Sequence, residues 1–134
     1  DFKNTKKNNL ELKKKALKEK NKIKIYTAIH IICRDTQNEA EEFKEMLETK
    51  YADKGAVHNF LKVSSKKLLG KLQLQNFKSI ATSCGAKVLC GSYKNIKEEI
   101  REVAKIYDGI SLIFVDYQKE TVDFNEKVLK KIKL

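Results

Sequence analysis

The run IKIYTAIHIICR, Ile23 to Arg34, passes directly into DTQNEAEEFKEMLETKY, and that junction limits the available folds more than any other feature. The first half is rich in β-branched and aromatic residues. It alternates at its start and then becomes continuously apolar, the pattern of a strand covered on both faces. Thr36 and Glu39 have capping-box spacing: the hydroxyl accepts from the third helical N–H while the carboxylate reaches back. Ala40, Phe43, Leu47 and Tyr51 then fall on one helical face. A buried strand feeding a capped amphipathic helix is the opening of a βαβ unit.

The pattern recurs. Lys87 to Cys90 predicts a second strand, Gly91 permits a tight corner, and Ser92 is a good N-cap. Ile96, Ile100, Val103, Ala104 and Tyr107 share one face of the helix that follows. Gly109 is expected to close that helix, and ISLIFV, Ile110 to Val115, to form the third strand. A last helix carries Phe124, Val128, Leu129 and Ile132 inward. Between the first two strands lies a long excursion. Gly55 breaks it, and Val57, Phe60 and Leu61 suggest a short helix. Gly70 separates a second helix around Leu74, Phe77 and Ile80, with Gly85 at its C-cap. Such alternation implies a parallel sheet with crossovers of one hand. Three parallel strands leave two open edges, and a full βα barrel takes about 250 residues. The chain, at 134 residues, is therefore either a minimal α/β layer or the tail of a barrel.

The first 24 residues hold ten lysines against Asp1, Glu11 and Glu19, which accounts for seven of the net charge of +11. Leu10, Leu12, Ala16 and Leu17 form a weak helical stripe, expected to be the apolar edge of an amphipathic helix that packs on something else. A basic arm would suit an anionic partner, but only Arg34 and Arg101 are arginine, the residue that nucleic-acid interfaces favour for forked contacts. Nucleic acid is therefore disfavoured. No apolar run approaches the roughly 20 residues of a membrane span, and the basic N-terminal stretch lacks the core of a secretion signal. A cytoplasmic protein with no membrane partner is expected. Cys33, Cys84 and Cys90 are odd in number, lack C-x-x-C spacing and sit beside apolar runs, so they read as reduced, mostly buried thiols, and no metal site is expected.

Gly91-Ser92 carries a single glycine, so neither the P-loop nor the dinucleotide fingerprint is present. Free N–H groups at a helix start could still hold an anion, but spacing alone favours a purely structural corner. His30, mid-strand among isoleucines, reads as a core or barrel-lining residue, three positions and therefore one sheet face away from Cys33. His58 receives no role. Arg34-Asp35, Gly91-Ser92 and Asp116 all fall at the carboxyl ends of strands, where α/β proteins place their ligands.

Four blocks, IKIYTAIHIICRDTQNEAEEF, KYADKGAVHNFL, SIATSCGAKVLCGSYKNIKEEI and DGISLIFVDYQKETVDFNEKVL, resemble in order and spacing the C-terminal part of luciferase-like flavin-dependent monooxygenases. The branch they are most similar to holds the pyrimidine and alkanesulfonate monooxygenase-type enzymes. The resemblance implies the C-terminal portion of a TIM-type (β/α)8 barrel, with residues 1–22 a basic helical lead-in, 23–134 the closing βα units and 52–85 a helical insertion. Its three strands would be the last three of eight. It implies reduced FMN as cofactor, supplied by a flavin reductase, and oxidation of a small organic substrate with O2. Gly91 and Ser92 would border the cofactor, at a turn where the family usually has Gly-Thr-Pro-Glu or Gly-Ser-Pro-Glu and this chain has Gly-Ser-Tyr-Lys. The family's main flavin-contacting residues come from earlier strands, so no catalytic residue is assigned and the chain is not expected to act alone. A homo-oligomer or a barrel-completing chain is the expected protein partner. Two rival readings are a non-catalytic remnant docked on a partner chain and a small basic nucleic-acid-binding module.

Overall fold

The computed structural model describes residues 2–64 and 73–132. In chain order the elements are α1 (Phe2–Lys18), β1 (Tyr26–Arg34), α2 (Gln37–Glu48), α3 (Lys54–Ser64), α4 (Gln73–Ser83), β2 (Lys87–Ser92), α5 (Tyr93–Ala104), β3 (Gly109–Ile113) and α6 (Tyr117–Lys127), closed by a 3-10 turn at Leu129–Lys131. The expected α/β architecture of three parallel strands with flanking helices is the one observed. Gly70, expected to separate two helices, lies outside the described residues.

The strand order is β2-β1-β3. Three consecutive barrel strands would place β2 in the middle, so that expectation is corrected: β1 is the centre and β2 lies on its far side from β3. The faces explain the order. Ile29, Ile31 and Cys33 of β1 join Leu89, Ile96, Ile100, Val103, Phe114, Phe124 and Val128 in one buried cluster, which puts α5 and α6 on the first face. On the second face Ile32 and Ala40 are fully buried, and the Cys90 thiol donates to the Ala40 carbonyl at 3.3 Å, which fixes α2 there. One connection crosses the second face to β2 and the next returns over the first face to β3. Opposite directions on opposite faces give both connections the same hand.

Local chemistry sets the ends of the elements. The Thr36 hydroxyl accepts from the Glu39 N–H at 3.2 Å and the Glu39 carboxylate accepts from the Thr36 N–H at 2.9 Å, the expected capping box. The Ser92 and Asp116 side chains cap α5 and α6 by accepting from the Asn95 and Lys119 N–H groups. Three details differ from the sequence reading. Gly109 opens β3 instead of closing α5, beneath the Tyr26 ring, where any β-carbon would collide. Tyr51 and Leu129 are exposed because each lies past the end of its helix. The leucines of α1 also face outward, because the helix docks by its polar side: the Asn9 amide donates to the Ile106 carbonyl, and Lys13 pairs with Asp108 at 2.7 Å.

The end of α4 holds a fourth difference. The left-handed residue is Cys84, at φ +51, ahead of Gly85 at φ +85. The Gly85 N–H reaches the Ser79 carbonyl at 3.2 Å and the Cys84 N–H reaches the Ile80 carbonyl at 3.0 Å, so the helix ends in two successive left-handed residues, and the first carries a side chain where glycine is usual. Cys84 is accordingly exposed, not buried as its neighbours suggested. A β-carbon in the left-handed region costs about 1 kcal/mol. Cys84→Gly is therefore expected to raise stability by roughly 0.5–1 kcal/mol in urea unfolding, with the m-value unchanged.

Candidate functional site

The carboxyl ends of β1 and β3, with the helices that leave them, enclose a cleft of about 430 Å³. Arg34 stands at its centre. Its guanidinium donates to the Cys33 carbonyl at 2.7 Å, pairs with Glu120 at 2.8 Å and lies 4.0 Å from the centroid of the Phe43 ring. Glu120, with a side chain only 11% exposed, also accepts from the Val115 and Asp116 N–H groups at 2.9 and 3.1 Å. One carboxylate therefore ties the end of β3 to the end of β1. Lys127 bridges Asp35 at 2.8 Å and sits 4.3 Å from the centre of the Tyr93 ring. Hydrogen bonding to Asp35 holds the Lys127 ammonium above its ordinary range.

The lining carries Arg34, Lys119 and Lys127 against Asp35, Glu39, Asp116, Glu120 and Asp123. An excess of carboxylates does not suit a phosphate group, whose own charge it would repel. Cys33 lies beneath the cleft, its thiol pushed up to about 12 by burial and then by the Glu120 charge, so it is inert as a nucleophile near neutrality. Among the described residues no cluster of three or more His, Cys, Asp or Glu side chains is placed to hold a metal ion.

Of the residues expected at the strand ends, Arg34, Asp35 and Asp116 line this cleft together. Gly91 and Ser92 occupy the neighbouring corner, where Gln37 is the residue sequence reasoning missed. Its carboxamide oxygen accepts from the Ser92 N–H at 3.3 Å and the Asn95 amide at 3.0 Å. Its nitrogen donates to Glu41 at 2.7 Å and to the Cys90 carbonyl at 3.4 Å. The Ser92 hydroxyl is engaged by the Asn95 N–H. The Ser92 and Asn95 N–H groups, two of the donors an anion would use, are thus already paired. A β-carbon on Gly91 would lie 2.7 Å from the Gln37 oxygen, so the glycine makes room for that side chain. Only the first position of a helix packed beside the corner hinted at Gln37, and it sits 54 residues away in sequence.

His30 lies on the second face. It is 6% exposed, and neither ring nitrogen has a hydrogen-bond partner among the described residues. Burial lowers its pKa below 6.5, opposed by the nearby Thr82 backbone and the Glu120 charge, so the ring is neutral at pH 7. Next to it the face is bare: Ala28 and Ser111, paired in register across β1 and β3, are both exposed. His58 is exposed on α3, remote in sequence from either feature.

No protein-family model matches the chain, and no curated protein does. Among solved structures it is similar to the long-chain alkane monooxygenase LadA, with a TM-score of 0.67 and 20% identity, over 98% of this chain and 34% of that one. It is also similar to DmoA from Hyphomicrobium sulfonivorans, with a TM-score of 0.66 and 13% identity, over 98% of this chain and 35% of that one. The likeness establishes a shared fold: the α/β layer expected of a barrel segment. The chain spans about a third of the length of these structures.

Two predictions follow from the geometry. Gly91→Ala is expected to cost about 1 kcal/mol by displacing Gln37, and close to nothing in a Gln37→Ala background, as a double-mutant cycle in urea would measure. Because the folded state holds His30 neutral while the unfolded chain protonates near 6.5, stability is full above that pH and falls below it. His30→Leu, similar in volume and without orphaned nitrogens, should flatten that acid-side slope in unfolding curves taken between about pH 7 and 5.

Proposed function

We propose that this chain is the C-terminal part of a luciferase-like, flavin-dependent monooxygenase that oxidises a small organic substrate with O2, and that it is not active alone. The observation that carries the reading is the coextensive fit: nearly the whole chain superposes on a third of a long-chain alkane monooxygenase. The ordered resemblance of its four sequence blocks adds to this. In this reading β1 and β3, neighbours in the sheet, are adjacent staves of the barrel. The insertion and β2 fall between them in sequence, with β2 beside β1 on its other edge. The bare patch at Ala28 and Ser111 is the part of the second face that the helices of this chain leave uncovered, and the remainder of the larger protein would cover it.

Reduced FMN, delivered by a flavin reductase, supplies the oxygen chemistry when bound, and a protein of this kind mainly binds, orients and shields it. The residues present do not fit its phosphate, since the cleft is rich in carboxylates and Gln37 fills the Gly91-Ser92 corner. Phosphate donors therefore come from the remainder of the barrel, and Gly91 and Ser92 border the cofactor only once Gln37 has swung away.

A second reading, a remnant that docks on a partner chain, is favoured by the outer edge of β3. GISLI has none of the lysines or prolines that guard sheet edges, and no described strand pairs there. Flavin titration separates the readings. The purified chain should neither quench FMN fluorescence nor gain thermal protection. Joined to about 200 upstream residues carrying the missing strands, it should do both and consume O2 with reductase present. Absence of flavin binding in the longer chain would leave the remnant reading.

A further inference from the structure

α1 presents to solvent the side a soluble helix normally hides. Its inward stripe, Thr5, Asn9, Lys13 and Ala16, is polar or small, while Leu10 and Leu17 are 52% and 59% exposed. Seven residues apart, these leucines share one flank of the helix, with exposed Lys7 and Lys14 beside them. α2 carries the reciprocal surface. Opposite buried Ala40 it exposes Glu42 and Glu45 next to Met46, itself 37% exposed. Neither glutamate takes part in the cap or the Gln37 contacts of that helix.

We propose that two copies of this chain associate by laying α1 of one on α2 of the other, Leu10 and Leu17 closing around the partner's Met46 while Lys7 and Lys14 face the partner's Glu42 and Glu45. A two-fold axis repeats the contact, so each copy uses both helices and the pair is closed. Charge complementarity selects the occupant. Seven of the eleven net positive charges fall in the first 24 residues, so much of the charge that would drive copies apart lies in the segment that meets the acidic helix. The remainder is screened beyond about 8 Å at physiological salt. The leucines separate this surface from a nucleic-acid arm, which would have no use for them. The inference stands on these two helices and does not depend on the proposed chemistry.

Sedimentation velocity over a concentration series in about 0.15 M salt tests it. The chain is expected to dimerise with increasing concentration. Lys7→Glu/Lys14→Glu and Glu42→Lys/Glu45→Lys should each weaken dimerisation at least tenfold, and mixing the two variants should restore a heterodimer. Leu10→Ser/Leu17→Ser should weaken it with the charge untouched. All the substituted side chains are exposed, and circular dichroism verifies that the variants are folded. A chain monomeric at the highest concentration, a charge variant that dimerises like the parent, or a mixture that fails to recover would overturn the proposal. So would a monomer that binds phosphatidylserine vesicles or duplex DNA through the same lysines and leucines, in favour of that surface.

Discussion

Everything in this fold is arranged around one strand. β1 is hydrogen-bonded on both edges and covered on both faces along its carboxyl half, so Ile29, Ile31 and Ile32 are almost wholly removed from water. Burying each such side chain contributes on the order of 2 kcal/mol, more than any surface ion pair in the molecule. A strand of that kind cannot lie at an edge. Its placement in the centre forces β2 and β3 to opposite sides and puts the return connection on the opposite face. The Arg34–Glu120 pair then locks the two strand ends that frame the cleft, using a carboxylate shared with two backbone N–H groups.

The same arrangement explains why the strand ends hold a cleft without a catalytic pair. Most of the charged groups there already serve the fold: Asp116 and Glu39 in helix caps, Glu120 in joining β3 to β1, Arg34 on Phe43, Lys127 on Asp35 and Tyr93. Gln37 does likewise at the corner of β2 and α5. Groups so engaged position other things and are poorly placed to move protons. The exception is His30, buried close to the Thr82 backbone with no well-formed hydrogen bond among the described residues, beside a bare patch of sheet. A buried imidazole without well-formed hydrogen bonds is costly, and burial by this chain's own helices keeps it neutral and takes it out of reach of the cleft.

Fold likeness to much longer proteins supports that reading through geometry, not through residues. At 20% and 13% identity the superposed backbones share a path while few side chains coincide. The chemistry of the larger proteins resides in positions drawn from the whole barrel. A third of the structure can reproduce the scaffold of one wall while leaving out the groups that face it.

The elements were legible in the sequence because the signals that specify them are local. The run through Ile32, the Thr36–Glu39 spacing and the Ser92 cap act within a few residues, and each appears where the pattern placed it. The face of α5 is equally local, with Ile96, Ile100 and Val103 all buried. What depended on distant partners was not legible. Nothing near α1 in sequence says that Asp108 will draw its polar side inward and turn its leucines out. Nothing near Gly91 announces the carboxamide of Gln37, and nothing in β2 itself reveals that β1 will occupy the middle of the sheet. Periodicity records which faces a segment can bury; the neighbours that bury them, and the order in which they pack, exist only once the chain has closed on itself.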